Sequence, residues 1–308
     1  MVDTTKIDKL ISRAVSVKDN SPDVSLDMLK RALKQAKAAE YTSGEAMILF
    51  NLGRVYVALG DYKESNANLT SALTIFETNN DMEARINTLS LLGMNYSYLG
   101  NFEQALKNFQ QSLELAEEFN NDNITAKILN NIGGYYYSID DLESAKISYL
   151  RSLALKEKTN DIKGLGACYT NLAIICTGLK NIEEASDYIN KSIEIKKNYT
   201  ENFKDMASLA FAKNTLGTIK REEKKYTEAL TIYEEALNIY LTQNNLLLLC
   251  ETYLLIATTY LDINDTANAL KSLNAGEQFA KQINASRISE EFKMLYSKIN
   301  HFKDKQEN

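Results

Sequence analysis

The chain has 308 residues, 44% of them apolar and 25% charged, with a formal net charge of −6 and a single proline, Pro22. The acidic balance argues against a general nucleic-acid binder, because neutralising phosphates takes a surplus of Lys and Arg. No run of roughly 18 apolar residues is present, so no membrane-spanning helix is expected. The start, Met1-Val2-Asp3-Thr4-Thr5-Lys6, lacks the basic and apolar regions of a signal peptide. The three cysteines, Cys168, Cys176 and Cys250, are odd in number. Cys168 and Cys176 stand eight apart on one predicted helix, roughly 12 Å by the helical rise, too far for a disulfide. Buried thiols in a reducing compartment, and so a cytoplasmic chain, are the expectation.

In chain order, residues 1–40 read as a degenerate helical hairpin. Ile7, Leu10, Ile11 and Ala14 form one stripe, and Pro22 after Ser21 suits the start of a second helix. Ser25 and Ala32 stand 40 residues before Ser65 and Ala72. From residue 41 the chain repeats itself. An apolar–small pair recurs at Leu52-Gly53, Leu92-Gly93, Ile132-Gly133, Leu172-Ala173, Leu216-Gly217 and Ile256-Ala257, in steps of 40, 40, 40, 44 and 40. Three residues after each pair come Tyr56, Tyr96, Tyr136, Cys176 and Tyr260, with Lys220 the departure. A second stripe follows in each copy, as in Ala105, Phe109 and Ser112 or Ala145, Tyr149 and Ser152.

These spacings, i, i+3, i+4 and i+7, put the conserved letters of the repeat on one face of a helix. Small residues let two helices approach, and large ones fill the space between neighbours. Turns at Gly60-Asp61, Gly100-Asn101, Asp140-Asp141, Lys180-Asn181 and Asn264-Asp265 supply a side-chain acceptor for the first free N–H groups of the second helix. Six units follow: 41–80, 81–120, 121–160, 161–204, 205–244 and 245–281. The 44-residue step leaves the next hairpin intact, so four extra residues fall around 196–205, as an added helical turn or a longer loop. Residues 282–308 carry Ile288, Phe292, Leu295, Ile299 and Phe302 at alternating steps of four and three, then a polar tail. A capping helix and the beginning of a coiled coil both fit that pattern.

Catalytic chemistry is poorly provided for. The one histidine, His301, lies far along the repeat from any cysteine nucleophile. Clustered His and Cys for a metal are absent, and Gly133-Gly134 lies inside a helix without the Gly-Lys-Ser/Thr of a phosphate loop. A non-enzymatic chain without cofactor is expected.

The pattern Leu89-x2-Leu92-Gly93-x2-Tyr96 followed by Ala105-x3-Phe109 resembles the tetratricopeptide repeat family. The family's first-position Trp is replaced throughout, by Leu49, Leu89, Leu129, Tyr169, Lys213 and Tyr253, and its closing proline is missing. The 40-residue unit is similar to the long-unit subclass of kinesin light chain and of many bacterial signalling proteins. The resemblance implies an all-α fold, a right-handed α-solenoid of antiparallel hairpins whose first helices line a concave groove. Transferred by position, the groove residues are Asn87 and Ser90; Lys127, Asn130, Asn131 and Tyr137; Thr170 and Asn171; and Asn214. Asparagine carries donors and an acceptor and can hold a peptide backbone whatever its sequence, and tyrosine adds contact area at low entropic cost. The alternative is that these amides simply face solvent. Lys213 and Lys220 share a face with Arg221 and suggest a site for an acidic partner segment, or else lysines that snorkel and pair with Glu222, Glu223 or other nearby acids. The family's Lys/Asn/Arg clamp for chaperone C-termini is not found.

The leading expectation is a scaffold that binds a protein or peptide segment in its groove, as the sensory or regulatory part of a bacterial signalling protein. Two alternatives stand beside it: a receptor for a short signalling peptide, and the regulatory region of an enzyme whose catalytic domain follows residue 308. Such receptors usually carry an N-terminal effector domain, for which residues 1–40 are short. Solenoid ends also offer a homodimer contact.

Overall fold

The computed structural model describes residues 4–18, 21–198, 203–283 and 286–307, with side chains for 4–18, 21–198, 206–283 and 287–299. Among the described residues there are fifteen helices and no strand. The helices are α1 (Thr5–Val17), α2 (Pro22–Ala38), α3 (Thr42–Ala58), α4 (Tyr62–Thr78), α5 (Met82–Tyr98), α6 (Phe102–Glu118), α7 (Asp122–Ser138) and α8 (Leu142–Lys158). They continue as α9 (Ile162–Gly178), α10 (Ile182–Asn198), α11 (Phe203–Glu222), α12 (Tyr226–Thr242), α13 (Leu246–Asp262), α14 (Thr266–Ile283) and α15 (Ser286–Glu307). The chain divides into two compact units, Met1–Thr159 with α1–α8 and Asn160–Asn308 with α9–α15.

The 40-residue period is two 20-residue steps. Each of α3 to α10 has 17 residues, and each link between them places one residue in the left-handed region: Gly60, Asn80, Gly100, Asn120, Asp140, Asn160 and Lys180. At Gly60 the N–H bonds back to Val57 O (3.0 Å) and the Asp61 N–H to Tyr56 O (2.9 Å), the paired closure of a Schellman turn. The same 6→1 bond runs from Asn101 to Tyr96, Asp141 to Tyr136 and Asn181 to Cys176. Only Gly60 and Gly100 use glycine at the left-handed position; asparagine fills several others at modest steric cost. The residue after each link opens the next helix. Asp61, Asn101, Asp141 and Asp265 accept the N–H of Glu64, Gln104, Ser144 and Asn268. Asp81, Asn121, Asp161 and Asn245 do the same for the first helices α5, α7, α9 and α13.

Within each hairpin the small member of the pair admits a large side chain from the second helix. A Cβ on Gly93 would lie 2.9 Å from Phe109 Cδ1, and one on Gly133 2.8 Å from Tyr149 Cε1. The small serines of the second helices do more than leave room. Ser65 donates to Gly53 O (2.8 Å), Ser112 to Ile86 O (2.8 Å), Ser152 to Ala126 O (2.7 Å) and Ser192 to Gly166 O (2.7 Å), tying each second helix to its first.

Residues 5–38 form the same kind of pair. Ile7, Ile11 and Ala14 are buried, and Ser25 donates to Ala14 O at 2.8 Å. Most of the 44-residue step appears in α11, which has 20 residues against 17 and begins three residues ahead of the register of the other first helices; the link before it, residues 199–202, lies outside the described residues. At the C-terminus Ile288, Phe292 and Ile299 are each 1% exposed and pack on Cys250, Leu254, Ala257 and Leu273 of α13 and α14. The side chains of His301, Phe302 and the polar tail lie outside the described set.

Candidate functional site

In the first unit the expected groove residues lie on α5 and α7, adjacent first helices. Asn87, Asn130 and Asn131 are half-buried, Lys127 and Tyr137 are exposed, and Ser90 is buried. Asn131 Nδ2 donates to Ser90 Oγ at 2.9 Å and so bridges the two helices. Beside this bridge lies a hollow of about 210 Å³. Its walls are Met94, Ser97 and Tyr98 from α5 and Asn130, Asn131, Gly134, Tyr135 and Ser138 from α7, and its floor is Phe109 of α6 and Tyr149 of α8. Tyr98, at the mouth, is 59% exposed and stacks on Tyr62 with ring centroids 4.8 Å apart.

Most polar atoms around the hollow already have partners inside the fold. Ser97 Oγ donates to Gly93 O (3.1 Å), Ser138 Oγ to Tyr135 O (2.7 Å) and Tyr135 Oη to Phe102 O (3.1 Å). Burial raises the Tyr135 phenol above its ordinary value, with the neighbouring Tyr136 phenol adding to the effect, so it stays neutral at physiological pH. Tyr98, Gly134 and Ser138 were not among the residues expected from sequence. The signal for Gly134 is present there: the same register position carries Arg54, Met94, Ile174, Thr218 and Thr258 in the other copies.

In the second unit two expected groove residues are turned into the helix stack. Thr170 is 2% exposed; its hydroxyl lies 2.7 Å from Ser192 Oγ and accepts from Lys196 Nζ at 2.8 Å. Asn214 is buried and donates to Thr252 Oγ1 at 2.8 Å, linking α11 to α13. Both are buried away from a groove, although Asn214 Oδ1 has no hydrogen-bond partner there, whereas Asn171 remains half-buried. Lys196 itself is buried, bonded also to Ser208 O at 3.2 Å, and desolvation brings its pKa down to about 8.

The basic patch is compensated from within. Lys213 pairs with Glu235, Lys220 with Glu223 (2.9 Å), Lys225 with the same Glu223 (2.8 Å), Arg221 with Asp262 (3.5 Å) and Lys180 with Glu222 (2.7 Å). Hydrogen bonds from Lys225 and Lys220 hold the Glu223 carboxyl down to about 2. The snorkelling-and-pairing alternative therefore describes the side chains, and little net positive field is left there for an acidic segment. Cys168, Cys176 and Cys250 are buried and form no disulfide, and burial pushes the Cys250 thiol up to about 11, which suppresses its thiolate chemistry. Among the described residues no group of His, Cys, Asp and Glu could hold a metal ion, and no helix is long and apolar enough to cross a membrane.

A tetratricopeptide repeat model matches residues 84–158 and 208–282, and a second tetratricopeptide repeat model matches 47–79 and 167–199. The chain belongs to the tetratricopeptide repeat family. Comparison with the curated proteins gives no match. Among solved structures it is similar to the apo form of the quorum sensor NprR from B. thuringiensis, with a TM-score of 0.74 and 22% identity over 89% of this chain and 76% of that one. A Rap protein complexed with competence and sporulation factor gives a TM-score of 0.72 at 16% identity, covering 94% of this chain and 78% of that one. The signal-transduction ATPase with a tetratricopeptide repeat sensor from Pyrococcus horikoshii gives 0.69 at 17% identity, covering 96% of this chain but 44% of that one. At these identities the likeness is one of fold.

Proposed function

We propose that this chain is a non-catalytic binding module, the sensory or regulatory part of a signalling protein, and that it holds an extended peptide or protein segment against the first helices of its N-terminal unit. The observation that carries this reading is the surface of α5 and α7, where Asn130 and Asn131 line a hollow with Tyr98 at its mouth and half-buried Asn87 lies further along α5. Amides supply backbone hydrogen bonds that do not depend on the bound sequence, and an adjacent hollow selects among side chains. The reading is also supported by the shared fold with a Rap protein that was solved in complex with competence and sporulation factor and with the quorum sensor NprR. The amides of the second unit contribute less, because Asn214 is buried against Thr252.

The test is selection of linear peptides from a random display library, followed by calorimetry on the recovered sequences. Joint replacement of Asn87, Asn130 and Asn131 by Ala is expected to weaken binding by at least tenfold. Recovery of no peptide, or affinity unchanged in the triple variant, would overturn the proposal.

A further inference from the structure

Gly134 sits in the middle of α7, where a glycine weakens a helix relative to alanine. Its neighbour Gly133 has a packing reason to be glycine, since three ring atoms of Tyr149 lie within 2.9 Å of where its Cβ would be. Gly134 has none. A Cβ there meets only Tyr149 Oη, at 3.7 Å, which is ordinary contact. The other five copies of the repeat carry a side chain at this register position, from Thr218 and Thr258 to Arg54 and Met94. The missing side chain borders the hollow between α5 and α7. The fold therefore tolerates a weakened helix at the one place where a side chain would fill that space.

The chemistry of the space narrows what enters it. No Asp, Glu, Lys or Arg lines it, so a charged group would lose its hydration without a counter-ion. Ser97, Ser138 and Tyr135 have their hydroxyl protons committed to backbone carbonyls. Besides the amides of Asn130 and Asn131 on one wall, the remaining surface is mostly ring and thioether: Phe109, Tyr135 and Tyr149 inside, Tyr98 at the mouth and Met94 on the other wall. Thioethers and ring edges favour aromatic and aliphatic partners. At about 210 Å³ the hollow is smaller than the roughly 300–1,000 Å³ of sites for whole small-molecule ligands, which matches one side chain of a longer segment.

We infer that the hollow at Gly134 is the specificity pocket of the peptide-binding face, and that it takes a single uncharged aromatic or aliphatic side chain of the bound segment. This rests on the peptide-binding reading above, but it can fail separately from it.

The experiment uses the full chain labelled at methionine methyl groups, with the Met94 signal assigned by its loss in Met94→Leu. The probes are the N-acetyl methylamides of phenylalanine, leucine and aspartate. The phenylalanine and leucine probes are expected to shift the Met94 methyl saturably and the aspartate probe not to. Gly134→Ile, which restores a side chain of the size of Ile174, should weaken the phenylalanine probe at least tenfold with the other methionine signals unmoved. Ser138→Leu, which narrows the mouth without touching the helix interior, serves as the second variant and should weaken it likewise. Equal binding in both variants, an aspartate probe that binds as well as phenylalanine, or no saturable shift at all overturns the pocket. Display selection on the same protein separates the two readings. Peptides that bind wild type and Gly134→Ile equally overturn the pocket and leave the peptide face standing. A saturable phenylalanine shift with no peptide recovered supports the pocket and overturns the peptide face.

Discussion

Replacing Lys196 with methionine should stabilise the protein at neutral pH, by an amount that fades as the pH rises. The amine is buried between α9, α10 and α11, with the Thr170 hydroxyl and Ser208 O as its partners. Burial lowers its pKa from 10.5 to about 8. At about 1.4 kcal/mol for each unit, keeping the proton on this amine in the folded state costs about 3 kcal/mol at pH 7. Methionine matches the stem and removes the charge, but it also removes the two hydrogen bonds, worth roughly 1 kcal/mol each. The expected net gain is about 1 kcal/mol at pH 7. The sign with pH follows from the direction of the shift. The folded pKa lies below the unfolded one, so between about 8 and 10.5 the unfolded chain holds a proton that the folded chain has released, and wild-type stability rises across that window. Lys196→Met lacks this rise. Urea unfolding followed by far-UV circular dichroism at pH 7, 9 and 10.5 measures the difference, and other titrating groups cancel between the two proteins. A variant less stable than wild type at pH 7, or a difference that does not shrink toward pH 10.5, would refute the reasoning.

The adjacent glycines of α7 should respond to alanine with opposite signs. Gly134→Ala is expected to gain about 0.5–1 kcal/mol from helix propensity. Gly133→Ala should lose about 1–3 kcal/mol as Tyr149 is forced aside; thermal melts of the two variants decide, and a shift in the same direction contradicts the packing. Ser152→Ala removes the bond to Ala126 O and should cost about 1 kcal/mol in urea unfolding, whereas Ser71→Ala, exposed on α4 and bonded only to its own helix, should cost less than half as much. Glu223→Gln should lower the melting temperature at neutral pH by releasing Lys220 and Lys225. Because the wild-type carboxyl is held down to about 2, its contribution is present above the unfolded carboxylate value and is lost as pH falls from there toward 2. The two proteins should therefore converge below pH 4, and a constant gap from pH 7 to pH 3 would count against the pairing.

Much of the fold was legible in the sequence because it is written in local terms. The links at Gly60-Asp61 and Gly100-Asn101 close one helix and cap the next using residues within six positions of each other. The pairs Leu92-Gly93 and Ile132-Gly133 announce which helices touch, since only a small residue there admits Phe109 or Tyr149. The family followed from the same letters, and so did the 40-residue period, which is two 17-residue helices with their links. The candidate site was legible only in part. Asn130 and Asn131 lie where the register puts them, on the first helix beside a hollow.

By itself, then, the sequence determined the helices, their ends, their pairing and the repeat. Tertiary structure decided the fate of each polar side chain on a first helix. Thr170 and Asn214 occupy groove positions by count, yet Lys196 from the second helix of the same hairpin and Thr252 from the next hairpin bond to them where both are buried. By sequence Lys213 can stand in an open basic patch or be paired, and Glu235 of the next helix is what pairs it. Gly134 reads as an ordinary helical glycine until Tyr149 is seen to leave it room. A helix period specifies a direction for each side chain, whereas burial, pairing and empty space depend on which side chains arrive from residues 15 to 40 positions away.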